Sequence, residues 1–96
     1  MRVLDENLLA GLARKPEAVA AFPFLRGAMR TVEEVCCGGS VRRRTIPDYA
    51  QMKQAVASLS PDQAERLLAL AGIQAVRVVW RDGAKVQDRV LRRQVK

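Results

Sequence analysis

Histidine is absent from the 96-residue chain, and with it the side chain that most often serves as a general base or a metal ligand. This absence argues against nucleophile pairs of the Ser-His or Cys-His type. Only two cysteines are present, too few for a disulfide framework or for a tetrahedral zinc site within one chain. Carboxylates are dispersed and no glycine-rich phosphate loop occurs. We therefore expect no enzymatic activity, no catalytic residue, no cofactor and no metal bound within one chain.

Long hydrophobic runs are also lacking. The richest apolar stretch, residues 18–25, is interrupted by Pro23 and is far shorter than the roughly 18 apolar residues typical of a membrane span. The N-terminal segment does not begin with basic residues followed by an apolar run, as a secretory signal does. We expect a protein without a membrane partner that is made and kept inside a cell, or in a particle assembled there.

Positive charge is present in excess. Lys and Arg number 17 against 10 Asp and Glu, a net charge of +7. Charges cancel before Cys36, so the whole excess belongs to the second part of the chain. Its clusters are Arg42, Arg43 and Arg44, then Arg92 and Arg93. Since guanidinium groups bind phosphates and carboxylates in pairs of hydrogen bonds, these arginines are predicted to contact nucleic acid or an acidic protein surface.

The N-terminal part, residues 1–37, is predicted to be a helical lobe. Short helices are expected on either side of Pro16, which suits the first turn of a helix. Over residues 24–36 apolar side chains recur at helical spacing, which predicts one amphipathic helix. Arg30 and Glu34 would form an i,i+4 ion pair on that helix.

A Gly/Arg-rich connector, residues 38–46, is predicted to lead into a second lobe. Residues 47–96 then form a helix-turn-helix followed by a β-hairpin, so the fold class is α+β. Pro47 suits the first turn of one helix. Ser60-Pro61-Asp62-Gln63 is a capping box for the next, and Gly72 is a typical helix-ending residue.

Alternating residues around an Asp-Gly turn predict the C-terminal hairpin over residues 75–91. Two registers stay open. A two-residue turn places Val79 opposite Val86, whereas a three-residue turn with a bulge places Trp80 opposite Val86. The second is favoured because it gathers one apolar face. The hairpin either packs on the helix of residues 61–71 or adds a strand to a neighbouring chain.

Apolar helix faces and the hairpin are the candidate surfaces for partners. The predicted partner-contacting residues are Leu25, Met29, Val32, Tyr49, Met52, Val56 and Trp80. Cys36 and Cys37 have two interpretations. They are small apolar residues at a buried helix end, which the lack of histidine and of CxxC spacing favours, or half of a metal or redox site shared between chains.

Cys36-Cys37-Gly38-Gly39 resembles the cysteine-glycine segments that separate short elements in small proteins of tailed-bacteriophage head and neck genes. The resemblance covers this segment and the size and layout of the chain. It implies a virion component that bridges larger shell, portal or tail proteins.

Together these features predict a small non-enzymatic structural or adaptor protein of a multi-chain assembly. The expected setting is a bacteriophage virion (head, head-tail connector or neck) assembled in the bacterial cytoplasm, and the partners are larger assembly proteins and copies of the chain itself. The alternative is a small basic regulator that binds nucleic acid through a winged-helix-like layout. Against it, the turn that would read the bases carries Asp62 and Glu65, which repel phosphates. A third possibility is an inhibitor that adds its hairpin to another protein's sheet.

Overall fold

The computed structural model describes residues 1–94 and has a mixed α+β architecture, as predicted at the level of fold class. In chain order its elements are β1 (Arg2–Val3), α1 (Glu6–Ala13), α2 (Pro16–Ala21), α3 (Phe24–Gly27), β2 (Met29–Val35), β3 (Val41–Pro47), α4 (Tyr49–Ala57), α5 (Pro61–Ala71), β4 (Ala75–Asp82) and β5 (Lys85–Arg92). One sheet has the order β1-β4-β5, with β1 parallel and β5 antiparallel to β4. Strands β2 and β3 form a separate antiparallel pair. Within the described chain, none of the helices has the length and apolar character needed to cross a bilayer.

One hydrophobic cluster fills the space between the three-stranded sheet and the helices. The sheet contributes Val76 and Val78, both 0% exposed, and Leu91. Leu4, just after β1, is buried with them, and its backbone N–H donates to the carbonyl of Arg77. The helices and the residues directly after them contribute the other buried residues: Leu8, Leu9, Leu12, Ala18, Phe22, Leu25, Ala28, Met52, Val56, Ala57, Leu59, Ala64, Leu67 and Leu68. Residues from both predicted lobes therefore contribute to the same core.

Local capping signals account for the ends of α5. The Ser60 hydroxyl accepts from the N–H of Gln63, and the Gln63 side chain accepts from the N–H of Ser60, which confirms the predicted capping box. Gly72 ends the helix in the left-handed conformation at φ +71°, where a residue without Cβ has no steric penalty.

Helix α4 begins two residues later than predicted. Asp48 is its N-cap and accepts from the N–H of Gln51 at 3.1 Å. Pro47 instead ends β3, opposite Met29, where its missing N–H costs no ladder hydrogen bond, because the N–H of Asp48 donates to the carbonyl of Ala28. An acidic N-cap satisfies the free N–H groups of a first turn, which Pro47 cannot do.

The prediction of one amphipathic helix over residues 24–36 is wrong. The helix α3 covers only Phe24–Gly27, and the chain then continues as strand β2. Gly27 weakens the helix, and the β-branched residues that follow favour a strand paired with β3. The predicted connector is likewise mostly strand, since β3 begins at Val41. Arg30 and Glu34 do not form the predicted pair, because they lie on a strand.

Both registers considered for the C-terminal hairpin are also wrong. Asp82 lies opposite Lys85, so the two-residue loop is Gly83-Ala84, with the positive φ of +63° at the glycine. Trp80 then lies opposite Gln87. This register places Leu91 opposite Val76 and inside the core, which leaves Val86 and Val90 exposed.

Candidate partner-binding site

Strands β2 and β3 form a hairpin arm, residues 29–47, that stands apart from the core. Seven cross-strand pairs run from Met29–Pro47 at its base to Val35–Val41 near its tip, a length of about 20 Å at the usual strand rise. All of its strand residues are exposed except Val32 and Ile46, which are half-buried.

The arm makes the molecule elongated. The longest dimension of the described chain is 61 Å, and its radius of gyration is 15.6 Å, whereas a compact chain of this length would have about 12.5 Å. Neither strand has extensive contact with any element outside the arm. A two-stranded ribbon of this kind is marginally stable in water, because nothing covers its faces.

Two of the three clustered arginines on the arm are paired with glutamates. The Arg43 Nε lies 3.1 Å from Glu33 Oε1, and the Arg44 Nε lies 2.9 Å from Glu34 Oε1. For Arg42 no ion pair occurs among residues 1–94. All of these side chains are exposed, so the pairs add little stability. They do lower the positive charge that the predicted cluster offers to a partner.

Both cysteines lie at the tip of the arm. Two hydrogen bonds hold the turn: the N–H of Cys36 donates to the carbonyl of Ser40, and the N–H of Gly39 donates to the carbonyl of Cys36. Both thiols are free, and Cys37 is exposed. The interpretation of the pair as a buried helix end is therefore wrong. In the part of the chain that is described, no group of three or more His, Cys, Asp or Glu side chains could hold a metal; a site shared between chains stays a prediction.

A cleft of about 520 Å³ lies where the base of the arm meets the rest of the molecule. Arg30 and Pro47 line it from the arm. The first half of α4 lines it with Tyr49 and Lys53, and the end of β4 with Trp80 and Arg81. The carboxylates of Glu6 and Asp48 also line it. The cleft thus combines charged side chains of both signs with two aromatic rings.

The predicted partner-contacting residues divide into three groups. Leu25, Met52 and Val56 are at most 2% exposed in the core, so a partner cannot reach them and this part of the prediction is wrong. Met29 and Val32 belong to the arm. Tyr49 and Trp80, each half-buried, line the cleft.

The two predicted arginine clusters are not brought together. Arg42, Arg43 and Arg44 lie on the arm, whereas Arg92 is the exposed end of β5 in the other sheet. Arg93 is half-buried and its N–H donates to the carbonyl of Gln74.

The C-terminal hairpin packs on α5, which was one of the two predicted alternatives, and also on α4. The guanidinium of Arg89 is part of this packing, since its Nη1 donates to the carbonyl of Ala57, the last residue of α4, and to that of Leu59. Among residues 1–94 no strand pairs with the edge of β5 that faces away from β4, so this outer edge of the sheet is unpaired in the described chain.

Sequence reasoning missed the arm and the cleft. A signal for the arm was present, because two runs rich in β-branched residues flank Gly38-Gly39, as in a hairpin with a longer loop. For the cleft no local signal exists, since Arg30, Lys53 and Arg81 come from three different elements. Comparisons of the chain with protein-family models, with curated proteins and with solved structures gave no match.

Proposed function

We propose that the chain is a small non-enzymatic structural or adaptor protein of a multi-chain assembly, and that the arm is the element that docks into its partner. The free-standing position of the arm is the observation that carries this proposal. A ribbon with both faces and both edges uncovered gains the packing it lacks when a partner covers it. Its unpaired edges can also take up a strand of another chain.

Exposed apolar side chains on the arm support this role. Val35 and Val41 are 80% and 59% exposed and lie opposite each other beside the tip. Met29, which strand alternation places on the same face, is 42% exposed at the base. Covering such side chains in an apolar pocket releases about 25 cal/mol for each Å² of apolar area.

The assembly would consist of larger proteins together with copies of this chain. The bacteriophage head, connector or neck as its setting rests on the resemblance of Cys36-Cys37-Gly38-Gly39 alone. Those residues form the tip of the arm. In this setting the tip would be the part of the chain that reaches farthest into a neighbour.

The proposal is tested by the native size of the chain in its source cells. A tagged chain is expected to sediment in particles much larger than the 10.6 kDa monomer. A double variant, Val35→Asp and Val41→Asp, should sediment as free monomer, because two carboxylates at the tip oppose burial. The matched control, Val3→Asp and Val90→Asp, changes two exposed valines of the three-stranded sheet that lie outside both the arm and the cleft, and should leave the particle intact. Free monomer for the unmodified chain, or an unchanged particle for the arm variant, would contradict the proposal.

We place the nucleic-acid-binding regulator second. Arg42 is exposed and has no ion pair among residues 1–94, which favours phosphate contact. The glutamates beside Arg43 and Arg44, and the exposed Asp62 in the first turn of α5, oppose it. If this role is right, replacing the three arginines by alanine flattens the dependence of DNA affinity on salt concentration.

A further inference from the structure

The cleft at the base of the arm is concave enough to bind part of another molecule. Its volume of about 520 Å³ falls within the roughly 300–1,000 Å³ common for ligand-binding clefts. One wall belongs to the arm, one to the start of α4 and one to the end of the β4–β5 hairpin. A partner docked on the arm would therefore lie directly beside it.

Three cations line the cleft without a carboxylate partner. Arg30, Lys53 and Arg81 take part in none of the ion pairs formed within residues 1–94, all of which lie elsewhere. Of the two carboxylates in the cleft, that of Asp48 is already engaged in capping α4. Three positive and two negative side chains leave a net charge of +1, so the cleft favours an anionic group.

The remaining surface of the cleft is apolar. Trp80 and Tyr49 are half-buried, and both line the cleft. Val79 and Val86, near the end of the β4–β5 hairpin, also line the cleft. Aromatic rings next to arginines are typical anchors at protein interfaces, since they offer large rigid contact areas.

We infer that this cleft binds a short acidic peptide segment of the assembly partner. One apolar side chain of the segment packs against Trp80 and Tyr49, and neighbouring Asp or Glu carboxylates pair with Arg30, Lys53 and Arg81. The inference rests on the proposed function, because the arm places the partner beside the cleft. Charge argues against a second copy of this chain as the occupant, since it would bring a net charge of +7 towards a positive cleft.

The test selects peptides from a random library displayed on phage, with the full chain as the target. The selected peptides are expected to combine an apolar residue with flanking Asp or Glu. A fluorescein-labelled copy of the most enriched peptide then reports the affinity by fluorescence polarisation. A double variant, Lys53→Glu and Arg81→Glu, should weaken binding by about tenfold or more, because it replaces attraction by repulsion at two contacts.

The matched control is Arg14→Glu with Arg66→Glu, which makes the same charge change at two exposed positions outside the cleft. It should change affinity by less than about threefold at moderate salt. Circular dichroism shows whether each variant is folded. Equal losses in the two variants would overturn the inference, as would enriched peptides without acidic residues. Selection of no peptide, with a single-stranded oligonucleotide bound in the cleft instead, would overturn it in favour of nucleic acid.

This experiment separates the cleft from the arm. The Val35→Asp and Val41→Asp variant should keep its affinity for the selected peptide while losing its place in the particle. If cleft variants lose no peptide affinity but the arm variant still leaves the particle, the cleft inference fails and the proposed function stands. If the arm variant remains in the particle, the proposed function fails whatever the cleft binds.

Discussion

Two valine-to-alanine substitutions compare how much a core residue and an arm residue contribute to the free energy of unfolding. Val56, on α4, is 0% exposed and packs in the hydrophobic cluster. Val32, on β2, is half-buried, and Ile46 is the only other half-buried residue in the two strands of the arm. Both substitutions remove the same two methyl groups, so any difference in their effect reports how each site is coupled to the fold.

The expected losses differ severalfold. Val56→Ala removes two buried carbons at about 0.8 kcal/mol each and leaves a cavity, so the free energy of unfolding should fall by about 2–3 kcal/mol. Val32→Ala removes one cross-strand contact on an exposed ribbon, at a cost of about 0.5 kcal/mol or less. At about 4–8 °C for each kcal/mol in a domain of this size, Val56→Ala should lower Tm by about 10 °C or more.

Urea unfolding followed by tryptophan fluorescence measures both values, because Trp80 is the only tryptophan and lies on β4. Far-UV circular dichroism of each variant checks that the native content of helix is retained. A loss of more than about 1 kcal/mol for Val32→Ala, beyond what an exposed cross-strand contact supplies, would show that the arm is packed on the core. A loss below about 1 kcal/mol for Val56→Ala would refute the core assignment, since burial alone predicts more.

Three further predictions concern the body of the molecule, each measured by thermal or urea unfolding. Arg89→Met should lower the free energy of unfolding by about 1–3 kcal/mol, because the carbonyls of Ala57 and Leu59 lose a charged donor; the exposed Arg92→Met is the control, and equal effects would contradict this role. Gly72→Ala should lower the free energy of unfolding by about 1 kcal/mol, because the φ of +71° at Gly72 disfavours a Cβ. Gly11→Ala, in α1 with no atom within 4 Å of the added Cβ, should raise it by up to about 1 kcal/mol. Effects of the same sign would contradict this prediction. Ser60→Ala should cost about 1 kcal/mol through loss of the capping box, and an unchanged midpoint would show that the cap is dispensable.

Elements with short-range signals could be predicted from the sequence. Helix α5 is the clearest case, because Ser60, Gln63 and Gly72 each specify one end of the helix through contacts a few residues away. The turn of the C-terminal hairpin was also predicted, but not its register. Which valines face inward depends on the packing of α5 against β5, and turn residues alone do not report it.

The arm could not be found by hydrophobic periodicity, for a physical reason. Periodicity identifies an element by the face it buries, and β2 buries no face. Apolar residues on an exposed strand therefore need not show the spacing that a buried face imposes. Between residues 24 and 36 their spacing happened to match that of a helix. The charge pattern misled in a related way, because Glu33 and Glu34 pair across the hairpin with arginines of the later, basic part.

The most direct test of the central claim is hydrogen exchange of the arm's backbone amides, in the free chain and in the native particle. In the free chain we expect amides of residues 29–47 to exchange fast, while those of β4 and α5 are protected by the core. In the particle the amides of the arm should become protected, because a partner covers them. Arm amides as protected as those of β4 in the free chain, or equally fast exchange in both states, would contradict the account.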